Sequence, residues 1–338
     1  MKERDHGYDF IRFFATIMIC LWHYYTTCKE QGINLYANID KLFSHGAINM
    51  GGVGVGLFFI LSGALMIRGN REELNVLSFY KKRSLRICVP NSLGFMGALM
   101  ATYVINADIV KRDKIGMLLS ALGLNFFNPW SDFFGISCVW LIGEWFTTVI
   151  IFLYLIFPIL RRLFLYRKWI GTLIIALIFV LNLKFKILSN QGGWGSYSNG
   201  IMFFWLGMFF EEYKGKISNG YIIIISFLCA SCLLLFPIQF HNEFDYIWVV
   251  LFSITLFLIL YQIKITGKLI SIICDLNFEI YLVHHRIYLL LMPALLTSSV
   301  GMDQIIICFV LLLWVTILIA RALKGGSNRI IKVLLQGA

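Results

Sequence analysis

Two polar residues, Arg12 and His23, interrupt the first apolar stretch of the sequence. The eleven-residue spacing makes about three turns of an α-helix, which puts both side chains on one face, roughly 16 Å apart along the axis. A charged residue inside a bilayer costs about 2.5–3.5 kcal/mol, so its presence there indicates a function. An arginine can bind phosphates, and an imidazole can act as a general base or a nucleophile. The spacing therefore suits acyl-CoA, with its phosphates at Arg12 and its thioester near His23.

Each residue also has a simpler interpretation. Arg12 on its own is typical of a cation at the membrane interface, and His23 on its own is typical of an imidazole that only packs against a neighbouring helix. Glu144 lies at a depth similar to that of His23 in a later apolar stretch. It could orient His23 by accepting a ring N–H, or it could form an ion pair with another basic residue such as Arg286.

Arg83 and Arg86 are spaced three residues apart, which places both guanidinium groups on one face if this segment is helical. Paired arginines suit bidentate contacts with phosphate, and we interpret them as a second part of an acyl-CoA site. The alternative is that they serve membrane topology alone, for which lysine would do equally well. Four further residues are candidates for substrate binding or for support of the site: Ser62, Glu279, Tyr281 and His284.

No metal site is expected. His284 and His285 are adjacent and lack both the four-residue spacing and the carboxylates of a helical zinc site. Because neighbouring helical residues point in different directions, we expect at least one of these two histidines only to pack. Cys229 and Cys232 lie in an apolar run without acidic or histidine neighbours, which favours packing over redox chemistry.

The elements that carry these residues are membrane helices. Of the 338 residues, 59% are hydrophobic and only 14% are charged, and the mean hydropathy is +0.80. Such a composition exceeds that of soluble domains and requires lipid around much of the surface. We predict one transmembrane domain over residues 1–338, all-α, with about ten spans: 10–28, 48–67, 88–106, 138–158, 169–187, 198–212, 220–237, 244–263, 274–297 and 303–321.

The basic residues predict the orientation of these spans. With the N-terminus inside, 20 of the 29 Lys and Arg residues fall on the inner side and 7 on the outer side. This bias predicts that both termini are cytoplasmic, and it explains the net charge of +11 without a nucleic-acid partner. The longest outer connection covers residues 107–137, and its apolar part, 115–127, is expected to form a lid or a half-helix.

Several short motifs resemble the acyltransferase-3 family of membrane O-acyltransferases. They run in the order of the family and lie at residues 8–15 (YDFIRFFA), 21–23 (LWH), 54–63 (GVGLFFILSG), 79–87 (FYKKRSLRI), 139–144 (VWLIGE), 154–158 (YLIFP) and 278–284 (FEIYLVH). Two positions depart from the pattern: the family often has an acidic residue where Trp145 stands, and an aspartate where Gly56 stands.

The resemblance implies an enzyme with ten spans in the bacterial inner membrane. It implies acetyl-CoA or another cytosolic acyl-CoA as the donor, and a cell-surface glycan or its lipid-linked precursor, such as that of lipopolysaccharide O-antigen, as the acceptor. It also implies essential roles for Arg12, His23, Arg83 and Arg86. The alternative function is a transporter or flippase for a glycan or a small anionic solute, in which intramembrane Arg, His and Glu would be equally natural.

Overall fold

The described chain is almost entirely α-helical, which confirms the predicted fold class. The computed structural model describes residues 5–33, 35, 39–45, 48–105, 109, 113–124, 139–185, 196–217, 220–235, 246–297 and 300–336. One two-stranded antiparallel hairpin, in which Ser44 pairs with Asn49, precedes a long apolar helix.

The described elements follow one another along the chain as eleven helices and two short strands. Their bounds are α1 His6–Glu30, α2 Ile39–Phe43, β1 Ser44–His45, β2 Ile48–Asn49, α3 Met50–Gly69, α4 Val76–Ile105, α5 Lys114–Ala121, α6 Glu144–Phe185, α7 Tyr197–Ile217, α8 Gly220–Leu235, α9 Tyr246–Tyr261, α10 Lys268–Leu295 and α11 Met302–Gln336.

Four of the described helices are long and apolar enough to cross a membrane: Met50–Gly69, Val76–Ile105, Trp145–Phe185 and Met302–Gln336. Two shorter apolar helices, α8 and α9, have 16 residues each. The count of ten spans and the cytoplasmic location of both termini stay predictions. Several helices extend beyond the spans predicted from hydropathy. A helix can continue past its apolar stretch where its polar side chains are hydrated or contact other residues.

Helix α6, Glu144–Phe185, covers most of the two predicted spans 138–158 and 169–187 and is kinked between them. The break expected between them is reduced to Arg167, whose φ of −143° and ψ of 45° are not helical. In the first part of α6, Arg161 donates from its Nη2 to the carbonyl of Arg71, 2.8 Å away, beyond the end of α3. A single kinked residue therefore separates the two parts of this helix.

The Cα positions divide the chain into two compact units. The first unit contains residues 1–19, 38–75 and 155–275, which include α2, α3, α7, α8 and α9. The second contains residues 20–37, 76–154 and 276–338, which include α4, α5 and α11. Helices α1, α6 and α10 contribute residues to both units.

The first unit is built around the crossing of α3 and α7, the most extensive helix pair in it. At this crossing Gly63 faces the backbone of Phe204, and Gly207 faces the backbone of Ile60, so tightly that neither position has room for a Cβ. Gly56 also contacts α7, since a Cβ there would lie 2.8 Å from the Phe203 ring. Small residues thus allow the two backbones to approach closely.

A cluster of charged and aromatic residues fixes the start of α1 in the first unit. The Tyr8 hydroxyl donates to Glu211 of α7, and Lys214 lies 2.7 Å from the same carboxylate. Arg68, in the last turn of α3, forms an ion pair with Asp5 at 3.1 Å. The Tyr261 hydroxyl donates to Asp5 at 3.2 Å. These contacts tie the first turn of α1, and hence the helix that carries Arg12 and His23, to the ends of α3, α7 and α9.

Candidate functional site

Helix α1 is continuous from His6 to Glu30, so the predicted spacing of Arg12 and His23 holds: they lie about three turns apart on one face. Arg12 is half-buried and donates from Nη1 to Asp9 Oδ1 at 2.9 Å. A guanidinium has five N–H donors, so this bond leaves others for a phosphate. The Asp9 carboxylate lowers the cost of keeping a cation at this depth.

His23 is one of three imidazole rings that lie close together in the second unit, with His284 and His285. Its ring centroid is 5.1 Å from that of His284 and 4.6 Å from that of His285. His284 is almost completely buried, with 1% of its surface exposed. Both adjacent histidines of α10 therefore lie beside His23, one ring near its edge at 60° and one tilted by 35°.

The backbone fixes which nitrogen of His284 carries a hydrogen. Its Nδ1 lies 2.8 Å from the carbonyl oxygen of Tyr281 and 3.0 Å from that of Ile280. Carbonyl oxygens only accept, so Nδ1 must donate. Burial disfavours the charged imidazolium form, so Nε2 is left with a bare lone pair. This Nε2 has no hydrogen-bond partner among the described residues.

Tyr281 connects α10 to the start of α6. Its buried ring lies against Gly143, where a Cβ would overlap the ring, and its centroid is 4.5 Å from that of Phe146. Glu144 follows Gly143 directly as the first residue of α6, but its side chain lies outside the described residues. The structure thus brings His23, Tyr281 and His284 together, and it places the backbone of Glu144 one residue from the Tyr281 contact.

Replacing Gly143 with alanine should therefore displace Tyr281 and disturb the histidines one turn further along α10. We expect the acyl transfer that the family resemblance implies to fall by about 10- to 100-fold in membranes containing the Gly143→Ala variant, because small misplacements of reacting groups have effects of that size. Gly97→Ala is the matched control, since a Cβ at Gly97 meets nothing within 4 Å. The alanine should cost much less in a Tyr281→Leu background. An equal loss in both backgrounds would contradict the proposed contact.

The C-terminal end of α5 is held inside the second unit by side chains that the sequence did not single out. Asn91 Nδ2 donates to the carbonyls of Ser120 and Ala121, both at 2.9 Å, and Ser92 donates to Ala121 at 2.8 Å. Thr148 of α6 donates to the carbonyl of Gly123 at 2.8 Å. Part of the predicted outer connection is thus a short helix whose last carbonyls are satisfied by α4 and α6, as expected for a half-helix. Residues 125–138 lie outside the described part.

Both residues of the Arg83 and Arg86 pair lie on α4, so the predicted helical spacing holds. The Arg83 guanidinium carbon lies 5.8 Å from the Phe79 ring centroid and 5.4 Å from that of Tyr154. Arg86 is exposed. Arg83 therefore lies beside a pair of aromatic rings whose centroids are 6.4 Å apart, whereas Arg86 is accessible to a ligand at the surface of the helix.

The remaining candidates lie on α3 and α10. Ser62 is half-buried in α3 and belongs to the first unit, as does Arg12. Glu279 is buried on α10, and its carboxylate interacts electrostatically with Lys324 of α11. Arg286 donates to the Thr102 hydroxyl of α4, with its Nε at 3.1 Å. In the part of the chain that the structure describes, no three His, Cys, Asp or Glu residues have an arrangement that could hold a metal ion.

A family model described as an acyltransferase domain matches residues 5–321 of the chain. The match contains every candidate residue of the site. Searches of curated proteins and of solved structures give no match.

Proposed function

Because the chain belongs to the acyltransferase-3 family and is a multi-pass membrane acyltransferase, we propose that it transfers an acetyl group from acetyl-CoA to a sugar hydroxyl. The acceptor is a cell-surface polysaccharide or its lipid-linked precursor. The protein works in the bacterial inner membrane, with both termini in the cytoplasm, where acyl-CoA is available.

The observation that carries this proposal is the imidazole cluster around His23 on a helix that also carries Arg12. Acyl transfer to a hydroxyl needs a base, because the hydroxyl oxygen must lose its proton as it attacks the thioester carbon. His23 takes that proton, the new C–O bond forms and the C–S bond breaks. The proton then passes from His23 to the departing thiolate, so that CoA leaves as the free thiol.

The arginines are proposed to bind the donor. The 3′,5′-ADP and pyrophosphate groups of CoA carry several negative charges, and planar guanidinium groups bind phosphates in a bidentate manner. Arg12, Arg83 and Arg86 are assigned to these groups. Glu144 is proposed as the carboxylate that stabilises the imidazolium formed on His23 during the reaction.

The experiment is a thiol-release assay on the full-length protein in lipid nanodiscs. Acetyl-CoA carrying a labelled acetyl group is supplied with lipid-linked saccharides extracted from membranes of the producing bacterium. We expect free CoA to appear and the label to be recovered in alkali-labile esters on the saccharide. Saccharide moved across the membranes of sealed vesicles, without thiol release or ester formation, would instead support the transporter and overturn the proposal.

A further inference from the structure

The bare Nε2 of His284 is a buried acceptor without a partner among the described residues, next to the histidine that is proposed to act as the base. Leaving a buried acceptor unsatisfied typically costs about 1–3 kcal/mol. A hydrophobic side chain at this position would avoid that cost. The lone pair therefore indicates that a hydrogen-bond donor binds to Nε2 of His284 at some stage of the reaction.

The neighbours of His284 identify that donor. Arg286 is bound to Thr102. The Tyr288 hydroxyl has no hydrogen-bond partner among the described residues, and its ring centroid is 5.8 Å from that of His284, so the Tyr288→Phe variant below tests it as a rival donor. The His285 ring centroid is 6.5 Å from that of His284, compared with 5.1 Å for His23. A centroid separation of 5.1 Å is close enough for a ring N–H of one imidazole to reach a ring nitrogen of the other after a small side-chain rotation. His23 is thus the nearest ring that can donate.

We propose that His284 is a positioning residue that accepts the N–H of His23 at its Nε2 during acyl transfer. This inference rests on the proposed function of His23. A neutral imidazole has one N–H and one bare nitrogen, so a bond from its N–H to His284 leaves the bare nitrogen of His23 for the acceptor hydroxyl. His284 keeps its own hydrogen on Nδ1, where the carbonyls of Ile280 and Tyr281 hold it, and takes no proton in the reaction.

The arrangement resembles a catalytic triad, in which a hydrogen-bond acceptor binds the second ring nitrogen of the catalytic histidine and orients the ring. The acceptor here is an imidazole instead of a carboxylate, and it is fixed by its own helix backbone. The proton still moves from the hydroxyl to His23 and then to the thiolate. In this arrangement Glu144 stabilises the His23 imidazolium through its charge and does not accept this N–H, so replacing each residue in turn gives different results.

The first test does not depend on activity. Full-length protein labelled with ¹⁵N in its histidines is prepared in nanodiscs, and the ring signals are assigned from His23→Gln, His284→Gln and His285→Gln variants. We expect His284 to show a protonated Nδ1 and an unprotonated Nε2, and the His23 N–H signal to shift in His284→Phe but not in Glu144→Gln. An Nε2–H form of His284, or a His23 signal that follows Glu144 alone, would overturn the proposal.

The second test measures initial rates of thiol release. We expect His284→Phe to lower kcat on the order of 10- to 100-fold with little change in the KM for acetyl-CoA, because donor binding does not involve this residue. His284→Gln offers an amide donor to the carbonyls and an oxygen acceptor to His23, so it should recover part of the rate and also serves if the Phe variant folds poorly. Tyr288→Phe, a neighbour on the same helix, should stay within a few-fold of the wild type.

The two tests separate the possible failures. A wild-type protein without acyltransferase activity would refute the proposed function, whereas the NMR signals would still report whether His284 accepts from His23. An active wild type whose rate is unchanged in folded His284→Phe would refute the positioning role alone. Equal losses in His284→Phe and His284→Gln, with an unshifted His23 signal in both, would assign His284 to packing.

Discussion

We expect the His23→Gln variant to lose acetyl transfer by on the order of 10²- to 10⁴-fold, the usual contribution of a general base. Glutamine has nearly the size of histidine and retains a donor and an acceptor, but its amide cannot take up a proton at neutral pH. The helix around it should be preserved, because the Thr26 and Thr27 hydroxyls bond to the backbone carbonyl of residue 23 and not to its ring. The loss should therefore appear in kcat and leave the amount of folded protein unchanged.

The measurement combines the thiol-release assay with mass spectrometry of acetyl groups on the surface glycans of the producing cells. His6→Gln is the matched control, since His6 is an exposed residue at the start of the same helix. It should retain full activity. Undiminished acetylation in cells that rely on His23→Gln would show that His23 neither removes the hydroxyl proton nor carries the acyl group.

The second large effect is on stability. We expect Gly207→Ala to lower the free energy of unfolding by about 1–3 kcal/mol or more, because overfilling a packed contact has costs of this size. A Cβ at Gly207 would lie 2.7 Å from the carbonyl carbon of Ile60 and 2.9 Å from the amide nitrogen of Ala64. These are backbone atoms of α3, so they cannot rotate away as a side chain would. The two helices would have to separate at their tightest crossing.

Gly215→Ala is the control for this change. Gly215 lies on the same helix, and a Cβ there meets nothing within 4 Å. Alanine also favours a helix over glycine by about 1 kcal/mol, which should make the control neutral or stabilising. Thermal unfolding of both variants in the same detergent provides the comparison. Equal midpoints for the two variants would mean that α3 and α7 do not approach as closely as described.

Much of the fold follows from local sequence patterns. Apolar runs predict helices, and the three-residue spacing of Arg83 and Arg86 predicts their shared face, because both properties depend on one segment at a time. The common face of Arg12 and His23 follows in the same way. The two polar residues that lipid should exclude were therefore recognisable as candidates without any knowledge of the neighbouring helices.

The contacts between helices could not be predicted in this way. The closest backbone contacts are at Gly63 and Gly207. Small residues allow two helices to approach, but a glycine in the sequence does not show which helix is its partner. The position of His284 beside His23 depends on which face of α10 meets α1, and a single helical pattern does not contain that information. The local signals were that His284 is a polar residue inside an apolar stretch and that it ends the motif at 278–284.

The aromatic contacts of Arg83 distinguish its role from that of a simple cation. With Phe79 and Tyr154 close to its guanidinium carbon, the group loses much of its rotational freedom before any ligand arrives. Under the proposed function, less entropy would then be lost when a phosphate oxygen of CoA binds to its N–H groups. A lysine at this position would keep the positive charge on the predicted inner side of the membrane. Its ammonium group, however, has no planar edge with which to bind a phosphate. An Arg83→Lys variant would therefore keep the positive charge that the predicted topology needs and lose the directional hydrogen bonds of the guanidinium group.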